Sequence, residues 1–156
     1  MSLYEISVFI HVSAVVVGFG ATFAEAIMFP VAMKTGVRNL PYVHQLQLAI
    51  NQRMASPALG LIIVTGIYQT IDADWGFGSF WISATFAIAI VLGGMNGAYF
   101  VPADRRLGPM VQHDLDESGK PSDEYLRQAR TEGIVGAVAG LLVIAAIFLM
   151  VTKPGA

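Results

Sequence analysis

Four apolar stretches alternate with polar connections along the chain. Each is long enough to cross a hydrocarbon core, which takes about 20 residues. They run from about 6 to 33, 54 to 71, 80 to 101 and 133 to 151. The pattern predicts an all-α membrane protein, one domain over residues 1–156 folded as a four-transmembrane-helix bundle. The first stretch does not read as a cleaved leader. Residues 1–5 (MSLYE) carry no basic segment, and the apolar run is longer than a signal sequence needs. The turn at 72–79 (DADWGFGS) is short and glycine-rich, which predicts antiparallel neighbours in helices two and three. The connection at 34–53 contains LPYVHQLQLAINQ, which reads as a helical extension of span two or an interfacial helix. The connection at 102–130 is polar and acidic from Ala103 to Glu124 (DLDESGKPSDE), and its HDLDE run at 113–117 resembles a metal-ligand cluster but reads as a solvated loop. Helix four is expected to start near Ser122, with Asp123 and Glu124 in its first turn.

Composition sharpens the class. Hydrophobic residues make up 55% of the chain and charged residues 13%, about half the roughly 25% of a soluble domain. A disordered chain is excluded, and a soluble one is strongly disfavoured. Nucleic acid is not an expected partner, because the net charge is −2 and there is no long Lys/Arg run. The chain has no cysteine, which excludes disulfides, iron–sulfur clusters and thiolate zinc sites.

Lys34, Arg38 and Arg53 lie in the first long connection. Arg105, Arg106, Lys120, Arg127 and Arg130 lie in the second, leaving only Lys153 elsewhere. The positive-inside rule then puts both connections in the cytoplasm and both termini outside. The expected location is a bacterial cytoplasmic (inner) membrane, crossed several times. Trp75 and Trp81 flank the outer turn, as in an aromatic belt.

Helix association in lipid relies on small residues. Gly93 and Gly97 form one GxxxG pair, and Gly136 and Gly140 form another. In span one, His11, Ala14, Gly18, Thr22 and Glu25 share a stripe, with His11 and Glu25 within about 40° of one direction. That stripe is expected to face the bundle.

Ionisable groups inside spans are costly and are candidate sites. Glu25, Asn51, Arg53, Asn96, Arg130 and Glu132 fall at similar depth near the cytoplasmic boundary. Two readings stand. Arg53 neutralises Glu25, or the group forms a polar pocket for an anion, a headgroup or a proton. Pro57 frees the Arg53 carbonyl and kinks the helix beside it.

His11 lies near the outer boundary, within reach of Tyr68 and Gln69 of span two. It reads either as a neutral histidine satisfied by such a partner, as an axial ligand for haem or copper, or as a proton relay. A second axial ligand would come from Met150, the one methionine at outer depth within a span, or from another chain. His44 and His113 fall in cytoplasmic segments. No HExxH, GxSxG, Walker A or GxGxxG motif is present, so no catalytic constellation is legible.

The opening IHVSAVVVGFGATF, with its early histidine and small-residue stripe, resembles an uncharacterised family of bacterial four-helix integral membrane proteins. Arg53 at the start of span two, and Pro102 with Arg105 and Arg106 after span three, extend the resemblance. That family is loosely similar to the membrane domain of copper-resistance protein D and to HemJ-type protoporphyrinogen oxidase. In the HemJ type the first-span histidine is linked to haem, a role the resemblance carries to His11 alone. Partner histidines and the methionine-rich outer segments of copper import are not matched here.

The expected function is a small non-catalytic bundle, acting as a homo-oligomer or as an accessory subunit of a larger membrane complex. The alternative is a haem-b-binding redox protein with His11 as axial ligand. A third is a small oligomeric transporter using Glu25 and Arg53.

Overall fold

A computed structural model describes residues 1–155. The elements are α1 (Leu3–Thr35), α2 (Leu40–Ile50), α3 (Ser56–Asp72), α4 (Phe80–Met95), α5 (Val101–Ser118) and α6 (Asp123–Thr152). A short 3-10 turn (Val37–Asn39) precedes α2, and π turns at Asn51–Ala55 and Asn96–Phe100 join α2 to α3 and α4 to α5. Four rods result: Leu3–Thr35, Val37–Asp72, Phe80–Ser118 and Asp123–Thr152. Each is long and apolar enough to cross a membrane. One end of the bundle carries both termini and the 72–79 turn and is called the terminal end. The other carries α2, α5 and the start of α6, and is called the basic end.

The π turns follow from two prolines at one spacing. Asn51 precedes Pro57 by six residues, and Asn96 precedes Pro102 by six. A proline has no N–H for the carbonyl four residues back, which breaks the α-helical ladder. Here one residue is inserted instead. The Ser56 N–H bonds the Asn51 carbonyl and the Val101 N–H bonds that of Asn96, each closing a wider turn. The two turns touch. Asn96 Nδ2 donates to the Asn51 carbonyl at 3.3 Å and to Ser56 Oγ at 2.9 Å.

The ends are capped by side chains. Ser2 and Glu5 form a capping box on α1. Ser122 caps α6 by accepting from the Tyr125 N–H at 3.2 Å, and α6 begins at Asp123 as the sequence predicts. The Asp114 carboxylate accepts from the Ser122 hydroxyl at 2.6 Å and from its N–H at 2.9 Å, tying α5 to the start of α6. Those two bonds hold the Asp114 carboxyl below its ordinary pKa.

The solvated loop expected at HDLDE (113–117) is helix instead, part of α5. Ala103, Asp104, Leu107, Gly108, Val111 and Leu115 form its buried stripe, a helical period hidden among many charges. His113, Asp116 and Glu117 of the HDLDE run are exposed on the opposite face. The stripe packs with Leu40, Val43, Ala32, Tyr125 and Ala129 into an apolar core at the basic end. α2 continues span two through its π turn, the helical extension among the two expected forms.

α1 packs chiefly on α3, α2 on α5 and α4 on α6. The expected stripe on α1 turns inward: His11, Ala14 and Gly18 are buried, Thr22 and Glu25 half-buried. A Cβ at Gly18 would lie 2.7 Å from that of Ala58, so α1 and α3 touch backbone to methyl there. Gly93 and Gly140 also stand at close contacts, against Leu59 and Phe23. Gly97 and Gly136 have open space at the Cβ position.

Candidate functional sites

At the terminal end, His11 is 5% exposed. Its Nδ1 lies 2.8 Å from Thr65 Oγ1. The single Thr65 hydroxyl proton is directed to the Leu61 carbonyl, one turn back on α3. Thr65 therefore accepts from Nδ1–H, and Nε2 is left as a bare lone pair. That nitrogen is fully buried and has no hydrogen-bond partner. The ring lines a cavity with Gly66, Trp75, Trp81, Phe86 and Met150. Lys153 places its ammonium 4.3 Å from the Trp75 ring centroid and 5.5 Å from that of Trp81, stacking a cation on two of the rings that line the cavity.

The partners expected of His11 are placed elsewhere. The Tyr68 hydroxyl donates to Asp72 at 3.2 Å, and Tyr68 does not line the cavity. Gln69 lines it, but its Nε2 donates to Ser7 Oγ at 3.2 Å. Thr65 takes the position, because a threonine on α3 can bond its own helix and offer the other lone pair across the interface.

At the basic end, the polar residues assemble differently from the expected group. His44 of α2 donates from Nδ1 to Asp104 Oδ1 of α5 at 3.0 Å. Its Nε2 then accepts from the Tyr125 hydroxyl of α6 at 2.9 Å, with the two rings edge to face. Asn51 Nδ2 reaches Asp104 Oδ2 at 3.4 Å. His44, Asp104 and Tyr125 are 2%, 3% and 0% exposed. A Cβ at Gly108 would lie 3.4 Å from that of His44, and the glycine lets α2 lie close on α5. Glu132 brings a carboxylate oxygen within 4.8 Å of donor atoms on both His44 and Asp104, and Glu25 interacts electrostatically with both carboxylates. Glu25 Oε1 is buried without a partner.

Of the expected cluster, the structure thus brings together Glu25 and Glu132, and Asn51 and Asn96. Arg53 and Arg130 are exposed and join neither. Among the described residues Arg53 forms no ion pair with Glu25. The sequence reading missed His44, Asp104 and Tyr125. The seven-residue, two-turn spacing of His44 and Asn51 put both on one face and was the available signal.

The family described as predicted integral membrane protein (DUF2269) has a model that matches residues 5–154, nearly the whole chain. The chain belongs to this family. It is a multi-pass integral membrane protein, in keeping with its four long apolar helices. The DUF2269 match spans both polar sites, since His11 and Glu132 lie inside it. No curated protein and no solved structure matches the chain.

Proposed function

We propose that the protein is a cofactor-binding membrane protein in which His11 Nε2 is the axial ligand of a haem b. One observation carries the reading. Thr65 fixes the tautomer of His11, so that its buried, unpartnered lone pair borders a cavity. A neutral imidazole nitrogen held by a hydrogen bond at its other nitrogen is a good iron ligand. The lining suits the chemistry of the group, and the cavity, about 60 Å³, must widen to admit it. Met150 offers a thioether on the same cavity, the aromatic rings offer apolar walls, and Lys153 offers a cation for carboxylates at the terminal end. When bound, the group would supply one-electron redox chemistry. The family that the opening segment resembles is loosely similar to HemJ-type proteins, whose first-span histidine is linked to haem, and that likeness points to the same histidine.

The test is an absorption spectrum of detergent-purified protein, oxidised and then dithionite-reduced. A Soret band that His11→Ala abolishes is the expected result. A spectrum still featureless after haem addition would overturn the reading. Thr65→Val is expected to retain the fold and weaken haem binding by about 10–100-fold.

A second reading, the homo-oligomer or accessory subunit, rests on Gly97 and Gly136. Each belongs to a GxxxG pair and has open space at its Cβ position. Light scattering in mild detergent tests it; a strictly monomeric particle with no co-purifying protein would sink it. A transport route through a Glu25–Arg53 gate lacks comparable support, because the two do not pair.

We infer that the basic end faces the cytoplasm of a bacterial inner membrane, on the support of eight of the nine basic residues.

A further inference from the structure

We propose that the buried cluster at the basic end is a divalent-cation site, with His44, Asp104 and Glu132 as ligands. Three of the four rods contribute one ligand each: His44 from α2, Asp104 from α5 and Glu132 from α6. This is how helical bundles build metal sites, with donors converging from facing helices. The donor atoms of His44, Asp104 and Glu132 all lie within 4.8 Å of one another.

The distances suit a small cation. Metal–nitrogen and metal–oxygen bonds of about 2.0–2.2 Å at tetrahedral angles put neighbouring donors roughly 3.3 Å apart. His44 Nδ1 and Asp104 Oδ1 are already 3.0 Å apart. A cation can take the place of the proton between them with little movement. His44 changes tautomer in the exchange: the Nδ1 proton leaves to water and Nε2 takes one up from water, so the ring stays neutral and releases no net proton. The Tyr125 oxygen, 2.9 Å away, then accepts from Nε2–H and holds the ring in its ligating orientation.

Charge gives a second argument, independent of the spacing. Two carboxylates, Asp104 and Glu132, converge on one imidazole, and Glu25 is a third acid in the field of both. Buried carboxylates are normally paired or bound to metal. Arg106 is the cation that acts on Glu132, yet it is exposed and forms no ion pair with the cluster among the described residues. Glu25 Oε1 has no donor at all. A divalent cation supplies the missing positive charge. One imidazole among carboxylates, with no thiolate, selects a hard or borderline ion of the Mn²⁺, Fe²⁺ or Zn²⁺ kind over Cu⁺. The proposal is independent of haem at His11.

The experiment uses tag-free, full-length protein in detergent, stripped with chelator. Co²⁺ is titrated with visible absorption as the readout, and Zn²⁺ by calorimetry. One equivalent of each is expected. Glu132→Gln and His44→Gln should each weaken binding at least about tenfold. His113→Ala, exposed on the opposite face of α5, should bind as the wild type does. Circular dichroism and gel filtration check the fold of each variant. Should buried His44→Gln misfold, the half-buried Glu132→Gln carries the comparison. A wild-type protein that takes up neither ion overturns the proposal. So does uptake unchanged in a folded Glu132→Gln.

Discussion

A methyl group added at Gly18 would stand 2.7 Å from the Cβ of Ala58, closer than two carbons tolerate. Neither atom belongs to a flexible side chain, so the helices themselves must part. Gly18→Ala is expected to destabilise the bundle by about 1–3 kcal/mol, the usual range for overpacking. Thermal unfolding in detergent would register it as an earlier transition. Gly97→Ala and Gly136→Ala have space for the methyl and should leave that transition where it is. Asp114 makes a different kind of prediction. Its folded-state pKa is lowered by the Ser122 bonds, so its contribution to stability is present above its ordinary pKa and is lost as the pH falls through the lowered value. Asp114→Asn should remove that part of the acid dependence, read as melting temperature against pH. The importance of Gly18 and His11 was legible in the sequence, because both belong to one stripe on one helix. The bond from His44 to Asp104 was not, because 60 residues separate partners that meet through tertiary packing.

Helix starts were easier to read than helix continuations. Ser122 and the acids after it signal an N-terminus by local chemistry alone. Ser122→Ala is expected to cost about 1 kcal/mol through the lost cap, and more if the Asp114 contact fails with it. Chemical denaturation followed by Tyr125 environment would check it, since that residue lies three positions into the cap and is fully buried. α5 was misread for a reason of scale. Its charged residues are as many as its apolar ones, six each, and a composition count over 102–130 averages the buried stripe away. Spacing, not content, carried the helix. The π turns were half legible. Pro57 announced a disturbed hydrogen bond, but whether a proline yields a kink or an inserted residue depends on what the neighbouring helix offers. Asn96 offers a donor to the carbonyl that closes the turn.

The protein as a whole has two ends with different solvents. The terminal end is wrapped in exposed apolar residues such as Val12, Val64, Ile90 and Phe148, while α5 exposes acids and bases. The proposed orientation is open to direct measurement, because a chain without cysteine needs no background removed. A single cysteine at Lys120 should react with a membrane-impermeant maleimide in inverted vesicles and not in intact cells; one at Gly76 should do the reverse. Lys120 labelling from outside the cell would reverse the orientation. The inserted residues at 51–55 and 96–100 have a consequence at this scale. One residue turns a helix by about 100°. The two halves of each of these rods therefore keep separate angular frames, one answering to the lipid-bound bundle and one to the core around His44. Deleting a single residue at either insertion would leave both halves intact and swing one against the other, like a key cut correctly but turned in its lock.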